Sequence, residues 1–106
     1  MTRGTVWWAD LPDVGRKPVV VISANVVTNL LRPVVARVTA QERPRSLRTF
    51  VELGPDEAGL PQRSFVLCHA LDTLDRGRFD NEPVGELPFG RMVELERALH
   101  FALDLP

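Results

Sequence analysis

Apolar and polar positions alternate in short bursts along the first seventy residues, and only near the end settle into a longer rhythm. Thr5-Val6-Trp7-Trp8-Ala9 is rich in β-forming side chains and runs into Asp10-Leu11-Pro12-Asp13, a cluster of turn residues. Pro18-Val19-Val20-Val21-Ile22-Ser23 is a nearly continuous apolar, β-branched run, as in a strand buried on both faces. Pro18 is expected at the start of that strand, where a missing N–H does no harm. A short helical turn or irregular connection follows Ser23-Ala24-Asn25, and a third strand covers Pro33 to Thr39. Gln41 to Ser46 is polar, basic and interrupted by Pro44, so it reads as a loop. Arg48-Thr49-Phe50-Val51-Glu52-Leu53 alternates at period two, as a half-buried strand does. Gly54 to Pro61 is rich in turn residues, and Ser64 to His69 is a fifth strand. Pro88 suits the first turn of a helix. From there Phe89, Met92, Leu95, Leu99 and Ala102/Leu103 recur at spacings of three and four, an apolar helical stripe. The pattern predicts a mainly β fold: five short antiparallel strands bent into a small sheet or barrel, closed by a C-terminal helix.

Composition narrows the setting. A chain of 106 residues, 44% hydrophobic, fits a single domain spanning 1–106. A domain this small leaves much surface exposed, so self-association would add burial. No charged segment leads into an apolar core of signal-peptide type and no run of 18 apolar residues exists, so neither secretion nor a membrane span is expected. The lone Cys68 excludes an internal disulfide and fits a reducing cytoplasm. One cysteine and two scattered histidines supply no metal-ligand set, and no cofactor is expected. Net charge is −1, yet residues 1–50 carry eight Lys/Arg against three acids, and residues 51–106 five Arg against eleven acids. Such segregation can build a basic face that attracts phosphate on a neutral protein, or can dissolve into scattered solvated arginines.

Four stretches, in order, carry a resemblance. They are Arg3-Gly4-Thr5-Val6-Trp7 with Asp10-Leu11, then Lys17-Pro18-Val19-Val20-Val21-Ile22-Ser23, then Val38-Thr39. The fourth comprises Gly59-Leu60, Ser64-Phe65-Val66-Leu67-Cys68, Thr73-Leu74-Asp75 with Arg78, and Gly85-Glu86-Leu87. Together they resemble the MazF/PemK (Kid) family of type II toxins, the mRNA interferases. The resemblance implies an SH3-like barrel of the MazF/CcdB/Kid type. It also implies a cytoplasmic homodimer that cuts single-stranded RNA at short sequences without ribosome or metal, and that a cognate antitoxin silences. The substrate would be mRNA, or else tRNA or rRNA. Cleavage in that family is attack by the ribose 2′-OH, leaving a 2′,3′-cyclic phosphate and a 5′-OH. Such chemistry needs a base for the 2′ proton, a cation or donor for the phosphorane, and an acid for the leaving oxygen.

The candidate residues follow. Lys17 stands where the family usually has an arginine, which offers phosphate a planar fork in place of a point charge. Arg16 beside it is the alternative source of a guanidinium, because the first loop is short and lacks the family's longer S-E-Q segment. Thr39 matches the strand-three hydroxyl, which would donate to a non-bridging oxygen. His69 stands where several relatives have aspartate, and imidazole is the usual acid/base at neutral pH. It is the fourth catalytic candidate, set against a plain strand-end residue. RNA contacts are expected from Arg43, Arg45 and Arg48 along the backbone, from Arg78, and from Trp8 stacking on a base. Arg78 has a structural alternative, an ion pair or turn with Asp75. His100 reads as surface, and Cys68 as a small core residue. The competing reading keeps the fold and makes the chain a CcdB-like toxin that binds DNA gyrase without cutting RNA.

Overall fold

The computed structural model describes residues 1–42 and 47–106. In chain order the elements are strands β1 (Thr5–Leu11) and β2 (Gly15–Val21), helix α1 (Asn25–Leu30), strands β3 (Val34–Thr39), β4 (Phe50–Leu53), β5 (Ser64–Thr73) and β6 (Gly85–Glu86), and helix α2 (Phe89–Ala102). One sheet holds all six strands in the order β4-β5-β3-β2-β1-β6, and its recorded pairings are antiparallel. The curled sheet with its C-terminal helix is the mainly β architecture expected. The sixth strand escapes the hydrophobic pattern because it is only two residues long, paired to Thr5 and Val6 of β1.

Both faces of the sheet are covered at its centre. One face packs Val6, Val20, Ala36, Val38, Val51, Leu53, Val66 and Cys68 under Leu95, Ala98 and Leu99 of α2. The other gathers Trp7, Ala9, Leu11, Val19, Val21 and Val35 with Leu74 and Phe79. That is why Val19, Val20 and Val21 are all fully buried, as their unbroken apolar run predicts. Burial of thirteen side chains in the first cluster alone supplies the main driving force, at about 25 cal/mol per Å² of apolar surface.

Two departures from the expected pattern shape the sheet. Pro18 is the fourth residue of β2, not its first. The β2–β3 rungs run only from Val21 opposite Val35 to Val19 opposite Arg37, so Pro18 lies beyond that ladder and its missing N–H breaks nothing there. Strand β5 is longer than expected and carries a bulge. Ala36 of β3 faces Leu71 but its neighbour Arg37 faces Leu67, leaving Cys68, His69 and Ala70 as extra residues. The Cys68 N–H donates instead to the Thr49 carbonyl, and the strand bends there.

In α2 the expected stripe is only partly buried: Phe89 is 84% exposed. At about 100° per residue Phe89 falls about 120° round the helix from the buried Leu95, about 180° from Ala98 and about 80° from Leu99, so a spacing of three from Met92 does not place it on the core face. His100 is exposed, its Nδ1 lying 3.0 Å from the Pro106 carbonyl oxygen. No helix among the described residues is long and apolar enough to cross a membrane.

Candidate active site

Beyond Val19 and Arg37 strands β2 and β3 part. β2 stays with β1 as far as Gly15 opposite Leu11, while β3 stays with β5 as far as Thr39 opposite Phe65. The gap between them is a cleft of about 380 Å³. Trp8, Arg16, Lys17 and Pro18 form one wall, Val38, Thr39 and Ala40 the next, and Leu60, Pro61, Gln62 and Ser64 close the third side. Apolar surface with a few polar groups and two cations, and no carboxylate among the described lining residues, is a site for an anion attached to something flat and apolar.

Each polar group is fixed by its strand. Trp8 pairs with Pro18 and Asp10 with Arg16 across the β1–β2 ladder, which puts Trp8 and Arg16 on one face. The Arg16 guanidinium lies 5.3 Å from the centre of the Trp8 ring. Its two terminal nitrogens donate to the two carboxylate oxygens of Asp80 at 2.5 and 2.6 Å. That pairing raises the Arg16 pKa and holds the Asp80 carboxyl below the usual carboxylate range. Lys17, opposite Ala9, is exposed and has no ion pair among the described residues. The Thr39 hydroxyl oxygen accepts the Gln41 backbone N–H at 3.1 Å, which fixes the oxygen and leaves its own O–H free to donate. The Ser64 hydroxyl is turned back onto the Gln62 carbonyl at 2.9 Å.

Four of the residues singled out in the sequence, Trp8, Arg16, Lys17 and Thr39, therefore meet in one cleft. His69 does not join them. It is exposed on the β5 bulge with its ring 5.5 Å from that of Phe50. Four residues of strand, about 13 Å, separate it from the Phe65 rung opposite Thr39. Arg48 lies elsewhere too, its guanidinium 4.3 Å from the centre of the Phe101 ring in a groove along α2. Arg78 reaches Asp10, 3.3 Å from its carbonyl and 3.7 Å from its carboxylate. It also closes a turn by donating its N–H to the Asp75 carbonyl, whereas the Asp75 carboxylate pairs with Arg32 at 3.1 Å. Arg43 and Arg45 lie outside the described residues.

Sequence reasoning missed Asp80 and the Pro61-Gln62 edge of the cleft. Sixty-four positions separate Asp80 from Arg16, and no local pattern links them. Arg37, one of the eight cations of the first half, is held by Asp72 at 2.7 Å and Asp13 at 2.9 and 3.0 Å. These partners raise its pKa further. Cys68 is fully buried, and burial pushes its thiol up to about 12, so it is no nucleophile.

The cleft lined by Arg16, Lys17 and Thr39 stands at the open end of a small curled sheet, and comparison with known proteins gives the class. The family of PemK-like, MazF-like toxins of type II toxin–antitoxin systems matches residues 2–103. A probable endoribonuclease, MazF5, of Mycobacterium tuberculosis is 33% identical over 96% of this chain and 92% of its own. Endoribonuclease EndoA of Bacillus subtilis is 32% identical over 97% and 94%. A solved mycobacterial endoribonuclease in complex with its cognate antitoxin superposes with a TM-score of 0.86 at 29% identity, covering 100% of this chain and 97% of that one. The chain belongs to the PemK-like, MazF-like toxin family. Of the two alternatives left by the sequence, the match falls on the ribonuclease side rather than the gyrase-binding one.

Proposed function

We propose that this chain is the toxin of a type II toxin–antitoxin pair, a ribosome-independent and metal-independent endoribonuclease that cuts single-stranded RNA in the cytoplasm. The observation that carries this reading is that Arg16, Lys17 and Thr39 all line one half-apolar cleft. In the proposed reaction the 2′ oxygen passes its proton to solvent water and attacks phosphorus. The bond from phosphorus to the 5′ oxygen breaks, and the leaving oxygen takes up a proton from water, giving 2′,3′-cyclic phosphate and 5′-OH ends. Lys17 faces the growing charge on the non-bridging oxygens, Thr39 donates its O–H to one of them, and Arg16 holds the entering phosphate. Fixed donors aimed at developing charge are the largest usual contribution to such catalysis. Trp8 and Pro18, both only partly buried, offer a base a stacking wall.

His69 takes a binding part in this reading, because about 13 Å of β5 separate it from the Thr39 rung. Arg48 and Arg78 are proposed to steer the RNA backbone, as are Arg43 and Arg45 in the loop after Thr39. The working unit is a single domain, paired as a homodimer. Exposed Val26, Leu30 and Leu31 of and beside α1 are apolar surface that a second copy would cover. The regulator is a cognate antitoxin, as the antitoxin-bound mycobacterial relative suggests. The test is incubation of the purified protein with single-stranded RNA in EDTA, followed by analysis of the product ends. Cyclic phosphate and 5′-OH ends are expected. Intact RNA together with poisoned gyrase would overturn the proposal.

A further inference from the structure

Among the described residues Arg16 is the one guanidinium in the cleft wall, yet its fork is already filled. A carboxylate and a phosphate present the same pair of acceptor oxygens to a guanidinium, so Asp80 occupies Arg16 as a phosphate would. The backbone that carries Asp80 is fixed to β1. The Asp80 backbone N–H donates to the Trp8 carbonyl at 3.0 Å, and Phe79 before it is bridged to Ala9. The acid is thereby tied to β1 beside the very tryptophan over which Arg16 lies. We propose that Asp80 is a positioning residue for RNA binding: it holds Arg16 over Trp8 at the edge of the cleft and yields it to an incoming phosphate.

The pair is built for exchange. Its side chains are 58% and 40% exposed, and ion pairs so open to water are weak and screened by salt. Arg16 is the longer, more flexible partner, so the guanidinium moves while Asp80 stays on the strand. After the exchange Asp80 is an unpaired negative charge close to the phosphate, which opposes binding. Asp80 therefore both preorganises Arg16 and lowers RNA affinity, which would discourage single phosphates and other small anions from lodging there.

The inference rests on the RNA-binding reading of the cleft, and its experiment separates the two. Binding of an uncleavable 2′-O-methyl single-stranded oligonucleotide is measured by fluorescence anisotropy over a range of salt, beside steady-state cleavage of the matching RNA. Asp80→Asn keeps the shape and the backbone bond. It is expected to tighten binding about three- to tenfold at low salt, the size expected of an exposed pair and its residual repulsion. The gain should appear in KM rather than kcat. The slope of log affinity against log salt should steepen by about 0.7, one more cation releasing its counter-ion to a single strand. Arg16→Ala/Asp80→Asn should bind no more tightly than Arg16→Ala. Unchanged affinity and slope in Asp80→Asn, or an equal gain in the double variant, would overturn the exchange. A wild type that binds the oligonucleotide but cuts no RNA would overturn the nuclease reading alone, and tightening by Asp80→Asn would still support the exchange.

Discussion

At the scale of single residues, the two cations of the cleft differ in how they are held. Lys17 is exposed and unpaired among the described residues, whereas Arg16 is held by Asp80. In the proposed reaction Lys17 would thus meet the phosphate without first releasing a partner. Lys17→Arg should keep activity within about tenfold, since charge is retained and only its geometry changes. His69→Ala should cost only a few-fold, mostly in KM. Measuring kcat and KM for both on one RNA checks this. A loss of two to four orders of magnitude in kcat for His69→Ala would instead assign proton transfer to it. Lys17 and Thr39 stand out in the sequence because they lie in short contiguous motifs, and Arg16 because it adjoins Lys17. Asp80 does not, because a partner 64 positions away leaves no mark on local pattern. The separation of His69 from the cleft was equally hidden, since a bulge adds residues to one strand without disturbing its composition.

At the scale of elements, the apolar runs identified β1, β3 and β4 well, and α2 in extent although the stripe's first residue, Phe89, is exposed. What they could not convey was where two strands stop pairing. Pro18 marks that point, and the same event that excuses its missing N–H opens the cleft. The third side of the cleft depends on a close approach of backbone to backbone. Gly59 has a φ of +83°, and a Cβ there would run into the Val84 carbonyl just before β6. Gly59→Ala should therefore cost about 2–4 kcal/mol from strain and clash together. For a domain of this size that lowers Tm by roughly 10 °C or more. Gly77→Ala, where a Cβ meets nothing within 4 Å, is the matched control and should shift Tm little. Thermal unfolding of the two variants followed by circular dichroism checks the difference.

Across the whole molecule, the charge segregation seen along the chain does not survive as an unpaired basic half. Arg3 pairs with Glu96 at 3.4 Å, Arg32 with Asp75, and Arg37 with Asp13 and Asp72, so acids from distant positions neutralise much of it. Linear charge blocks were a weak guide because folding decides the partners. Those pairings also set the response to pH. Arg37, Arg91 and Arg16 hold the carboxyls of Asp13, Glu57 and Asp80 below their ordinary values of 3.8 for Asp and 4.5 for Glu. A carboxyl depressed in the folded state stabilises fully above its unfolded pKa and loses that contribution as pH falls through the folded one. Tm should thus be nearly flat from about pH 5 to 7 and fall below about pH 4, less steeply in high salt because these pairs are open to solvent. Stability lost between pH 5 and 7 would mean that a different group controls folding.

The most direct measurement is the rate of single-stranded RNA cleavage in EDTA by the wild type and by the folded Lys17→Ala/Thr39→Val variant. The wild type is predicted to cut, leaving cyclic phosphate ends, and the variant to cut at least about a hundredfold more slowly, the usual cost of removing charge-stabilising donors. Equal rates for the two proteins, or RNA left intact by the wild type, would contradict the assignment of the cleft between β2 and β3 as the place where RNA is cut.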